Sequence, residues 1–162
     1  MHYLRPFFIA ILLLATLAAQ AQKGHKPCVK TIDEAEAAGI DLTNLYNTYQ
    51  SAINSEDSSK GVFSATGQGD KLASAYREFL YQLGNYLKQH GFKWEQPTRL
   101  GQRIYFSPDG SVDYYLFTPK TTMARKQLQQ FEKLLTAFAA THKLGVTAPV
   151  KFAQCSPVTF TP

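Results

Sequence analysis

Residues 103–117 read RIYFSPDGSVDYYLF, and this stretch decides the fold. Upstream of it the apolar residues recur every three or four positions; within it they alternate. Ile104 and Phe106 share one face, and after a break Val112, Tyr114 and Leu116 share one, with Tyr115 and Phe117 opposite. Alternation is the period of a strand, because successive side chains point to opposite sides of a pleated sheet. The break, Ser107-Pro108-Asp109-Gly110, suits a type I turn closed by a glycine bulge. Pro108 presets the first turn position, Asp109 bonds its own backbone, and Gly110 accepts a positive φ. The segment is therefore predicted to be a β-hairpin, and its carboxylates, Asp109 and Asp113, are read as turn and strand residues rather than as an acid–base pair.

Helical periodicity flanks the hairpin on both sides. Leu72, Tyr76, Phe79, Leu83, Tyr86 and His90 recur at spacings of three and four, with Asp70 as the expected N-cap and Gly91 as the stop. Ala124, Leu128, Phe131, Leu135, Phe138 and His142 repeat the pattern, with Thr121 or Thr122 near the cap. A shorter stripe, Leu42, Leu45, Tyr49, Ala52 and Ile53, follows the N-cap Asp41, and IDEAEAAG, residues 32–39, reads as a brief helix stopped at Gly39. Between the second helix and the long third one, residues 54–70 are rich in Ser and Gly and are expected to form a flexible loop tacked down by Val62 and Phe63. Its GQGDK lacks the spacing of a phosphate loop. Near the end, APVKFAQC alternates and predicts a third strand over about 149–155, interrupted at Pro157. Together these elements predict an α+β domain: a small antiparallel sheet, the hairpin plus the C-terminal strand, packed with three main helices.

The N-terminus has the form of an export signal. Arg5 precedes an apolar run from Phe7 to Ala19, and Ala19-Gln20-Ala21 places small residues where a signal peptidase cuts, so cleavage is expected after Ala21. The run is too short to span a bilayer as a helix. Residues 22–162 then form one domain, periplasmic or extracellular, with no transmembrane anchor after processing. In an oxidising compartment Cys28 and Cys155, the only two cysteines, are expected to pair as a disulfide. A metal site from His25, Cys28 and Cys155 lacks the second close ligand pair such sites use.

Charge and motifs narrow the function. The formal net charge is +5, but the basic residues are dispersed rather than clustered, which speaks against a nucleic-acid partner. No H-E-x-x-H, G-x-S-x-G or reactive-cysteine context occurs, and no cofactor or metal motif. A hydrolase would have to assemble its site in space around His25, His90 or His142. The chain is rich in rings, with 11 Phe, 9 Tyr and a single Trp. These observations predict a non-enzymatic secreted domain that binds an envelope protein or glycan through an exposed aromatic patch, with Trp94, Tyr105 and Tyr115 as the expected surface. A purely structural envelope protein is the remaining alternative.

Two resemblances agree with this. The AQAQ junction resembles exported proteins of the Bacteroidota type. The order helix, strand, Asp-Gly turn, strand, helix, strand resembles the C-terminal domain of TonB-type proteins, whose hairpin carries a similar F-x-x-D-G-x-V pattern, matched here by Phe106, Asp109, Gly110 and Val112. The Tyr-Pro that commonly ends the first helix of that family is missing, as is its proline-rich spacer. The resemblance therefore implies shared architecture and a periplasmic or surface interaction module rather than energy transduction.

Overall fold

A computed structural model describes residues 26–162. The signal segment, its cleavage site and His25 lie outside the described residues. The fold is α+β, with a five-stranded mixed sheet. In chain order the elements are β1 (Cys28–Thr31), α1 (Ile32–Ala37), α2 (Leu42–Thr48), β2 (Gln50–Ser51), α3 (Gly69–Gln89), β3 (Thr98–Phe106), β4 (Val112–Pro119), α4 (Arg125–Thr141) and β5 (Phe152–Phe160). The spatial order is β1-β4-β3-β5-β2. The centre is antiparallel, β3 pairing with β4 and β5, whereas the short edge strands β1 and β2 run parallel to their neighbours. These edges, hidden in sequence by their brevity, turn the expected three-stranded antiparallel sheet into a mixed one.

Helices cover both faces of the sheet. On one side α3 and α4 bury Leu72, Phe79, Leu83, Phe131, Leu135 and Phe138 against Ile104, Phe106, Tyr115, Phe117 and Phe152. On the other, Ala35 of α1 and Leu45 of α2, with Tyr49 just beyond it, pack on Tyr105, Leu116 and Ala153. The main core is aromatic, with Phe79 edge-on to Phe138 at 5.1 Å and Phe106 stacked on Phe152 at 5.2 Å. Edge and offset geometries let rings pack without opposing their negative faces.

The turn forms as its residues require. Gly110 has φ +82°, its N–H donates to the Ser107 carbonyl at 2.9 Å, and Asp109 accepts from the Ser111 N–H at 3.0 Å. Any side chain at 110 would also run into the Leu144 carbonyl, because the segment after α4 packs on the turn through Leu144 N–H to Gly110 O. A register shift between Tyr105 and Phe106 moves Val112 from the face it was expected to share with Tyr114 and Leu116 into the α3/α4 core. A bulge of this kind inserts one extra residue and re-aims its side chain. Asp113 lies at this irregularity, and its carboxylate accepts from Tyr49 Oη at the end of α2.

Element ends depart from expectation in informative ways. α2 stops at Thr48 because Gln50 and Ser51 pair with β5, so the apolar stripe continues to Ala52 through a strand. α3 and α4 begin at Gly69 and Arg125 without a side-chain cap, Asp70 lying in the first turn of α3 and Thr121 instead accepting the Arg99 N–H. The segment expected as a flexible loop contains a 3-10 turn at Ser58–Lys60, and Phe63 packs edge-on to Phe152 at 5.1 Å. β5 runs straight through Pro157 to Phe160. The Lys151 and Ala153 carbonyls accept from the N–H groups of Gln50 in β2 and of Ala52 just beyond it, so the odd positions of β5 turn their backbone groups away from β3. Pro157 is one of them, and its missing N–H falls on the sheet's open side, where it disturbs no ladder.

The expected Cys28–Cys155 disulfide does not form; both thiols are free. Cys28 pairs with Tyr114 on β4, and Cys155 with Arg103 on β3. β1 and β5 are separated by β4 and β3. Three strand spacings of about 4.8 Å place the two cysteines roughly 14 Å apart, twice the Cα separation a disulfide tolerates. The same gap rules out a shared metal ion.

Candidate functional site

The expected aromatic surface is mostly interior. Tyr115 is fully buried, and its hydroxyl donates to Gln102 Oε1, whose amide nitrogen in turn donates to Tyr76 Oη at 2.8 Å. Tyr76 Oη lies 2.8 Å from Ser156 Oγ, completing a buried polar chain from β4 across β3 to α3 and β5. Burial pushes the phenols of Tyr115 and Tyr76 up, so both hydroxyls stay protonated to fill these roles. Tyr105 is also buried, edge-on to Tyr49 at 5.1 Å. Neither ring reaches a partner. An alternating pattern shows that two faces exist, but not that both are covered.

Trp94 alone of the three reaches a surface. It stacks on Phe160 at 4.8 Å with an 11° interplanar angle, and Phe92 and Phe131 hold it from the core side. It forms one end of a groove of about 700 Å³ between α3 and the C-terminal part of β5. Along α3 the groove is bounded by Leu80, Tyr81, Gly84 and Lys88. Tyr81 is 66% exposed, the joint highest among the described large apolar residues.

Gly84 is the informative residue on this wall. It sits in the middle of a 21-residue helix, where glycine costs about 0.5 to 1 kcal/mol relative to alanine. A glycine there is explained when another chain passes too close for a Cβ. Here a Cβ would meet nothing within 4 Å, so the fold does not require it. Gly84 lines the groove, and a side chain there would face open space.

The other clusters of polar groups serve the architecture. Asp113 accepts from Tyr49 Oη at 2.7 Å and from Ser107 Oγ at 2.9 Å, with Lys151 Nζ at 3.5 Å, which ties α2 and the turn together; burial first, then Asp113, pushes the Tyr49 phenol far up. Asp109 pairs with Lys143, which holds its carboxyl down at about 2. His90 stacks on Tyr86 at 4.0 Å and His142 on Phe138 at 4.1 Å, each with Nδ1 against a helix-end carbonyl. No carboxylate hydrogen-bonds either ring among the described residues, so neither has the orienting partner a catalytic base needs.

A carboxyl pair joins α1 to α4. Thr31 caps α1 and donates its N–H and hydroxyl to Glu34 Oε2 at 3.2 and 3.0 Å. Glu34 also meets Glu132 of α4 in hydrogen-bonding contact, and Glu132 Oε1 is buried with no donor. Two acceptors face each other, so a shared proton satisfies the pair. Burial, reinforced by Glu34, pushes Glu132 up to about 7, while that same contact lowers Glu34.

No protein-family model matches the chain, and no match is found among curated proteins or solved structures. The groove was not legible in sequence, but one signal was present: Gly84 interrupts an otherwise regular helical pattern with no turn or cap to explain it.

Proposed function

We propose that this chain is a non-enzymatic exported domain of the bacterial envelope, periplasmic or extracellular, whose α3/β5 groove captures another envelope component, a protein or a glycan. The observation that carries this reading is Gly84: a helix-weakening residue, free of packing constraints, that lines a groove walled by the only tryptophan. Proteins depart from local stability where function requires it. The form of residues 1–21 supports export. The similarity of the hairpin motif to TonB-type C-terminal domains supports an interaction module.

Site-specific photocrosslinking in the native host tests the proposal. A photoreactive phenylalanine analogue replaces Tyr81, on the groove, or Tyr46, which is equally exposed at 66% on α2 and outside the groove. Capture from position 81 of one envelope component not captured from 46 supports the reading. Equal or no capture from the two positions contradicts it.

A further inference from the structure

The nature of the occupant follows from the groove's charge, its length and the strand beside it, given the reading above that the groove captures a ligand. Its charged side chains are Lys88 and Lys93; no Asp or Glu lines it, and neither lysine has an ion-pair partner among the described residues. Two lysines with no acidic side chain beside them, set over apolar walls, favour a partner bearing carboxylates beside apolar groups.

The strand edge points to a polypeptide. β2 pairs only with Phe152 and Ala153, and beyond them no described strand pairs with the outer edge of β5. By the alternation fixed at Lys151 and Ala153, Cys155, Pro157 and Thr159 turn their backbone groups to that edge. Pro157 has no N–H to offer, which interrupts the edge as a template for long strand pairing. Past it, Thr159 presents both donor and acceptor, and Thr159 lines the groove. An extended chain lying there gains a main-chain rung at Thr159 while its alternate side chains enter the groove. Trp94 is already covered by Phe160 on one face and held by two further rings, which suits a wall for apolar side chains better than a platform for a sugar.

Length sets the footprint. From Leu80 to Lys88 the groove follows α3 for about 12 Å at 1.5 Å per residue, the span of about four extended residues at 3.3 Å each. We infer that the groove receives an extended polypeptide segment of about four residues that carries acidic and apolar side chains, docked beside Thr159 with its carboxylates toward Lys88 and Lys93.

A displayed library of random heptapeptides, panned on residues 22–162 and counter-selected on the Gly84→Leu variant, tests this. Leucine is a strong helix former, so that variant fills the groove without weakening α3. The inference expects enriched clones combining Asp or Glu with apolar residues. A synthetic copy of the leading clone should shift Trp94 emission, weaken as salt rises, and lose at least tenfold in affinity in Lys88→Glu/Lys93→Glu. Enrichment of basic or uncharged clones, or none that Gly84→Leu rejects, overturns it. Groove-dependent binding on a bacterial glycan array without acidic clones would overturn the peptide inference while leaving capture intact; failure of capture itself would appear as equal crosslinking from positions 81 and 46.

Discussion

Tyr115 shows how a single residue can mislead and then explain itself. Its alternation with Tyr114 marks it as facing one side of a sheet, and an aromatic with a polar tip suits an exposed contact. In the folded chain the ring is fully buried, and the tip meets Gln102, a polar residue placed in the core to receive it. Tyr115→Phe keeps the ring volume and leaves Gln102 Oε1 without that donor. It should lower stability by about 1 to 3 kcal/mol, read by chemical denaturation, because an unsatisfied buried acceptor costs more than the bond itself contributes. A neutral substitution would show that Oε1 finds another donor. No sequence pattern pairs Gln102 with Tyr115, since the two meet only when β3 and β4 lie side by side. The SPDG turn was legible because Pro108, Asp109 and Gly110 each act on the local backbone.

Two elements carry consequences that sequence periodicity does not reveal. Glu34 and Glu132, on α1 and α4, form a carboxyl pair. Glu132 is raised in the folded state from 4.5 to about 7, so the folded chain holds a proton that the unfolded chain gives up. Its contribution to stability is fully present below about 4.5 and is lost as pH rises through about 7. The depressed Glu34 acts in the opposite sense, below the ordinary carboxylate range, and leaves this window to Glu132. Glu132→Gln supplies a permanent donor. Its melting temperature should exceed the wild type's at pH 8, with the difference shrinking toward pH 5.5; a constant difference across that range would contradict the shared proton. On β5, Pro157→Thr restores the missing outward N–H between Cys155 and Thr159. The variant should associate more than the wild type in sedimentation at equal concentration, because an uninterrupted open edge is a template for pairing. Unchanged association would mean that Pro157 does not guard the edge. The helices and central strands were legible because they are long and periodic. β1 and β2 were not, because four- and two-residue strands carry too little pattern, and missing them made the cysteines look like neighbours.

At the scale of the whole molecule, the sheet is covered on both faces and closed at its edges by short parallel strands, except along the outer half of β5. There α3 stands beside the strand with a glycine at its middle, and the groove lies between them. α+β architecture with helices on the sheet was readable from the order of periodic segments. The groove was not, because it depends on which face of α3 packs on the sheet and where β5 ends. On the proposed function, Gly84 leaves room in this groove for the captured segment. The most direct test measures Gly84→Ala twice, by thermal melting of the purified domain and by crosslinking yield from position 81 in cells. The variant should be more stable by about 0.5 to 1 kcal/mol and capture less. A variant that is more stable and captures as well as the wild type would contradict this reading.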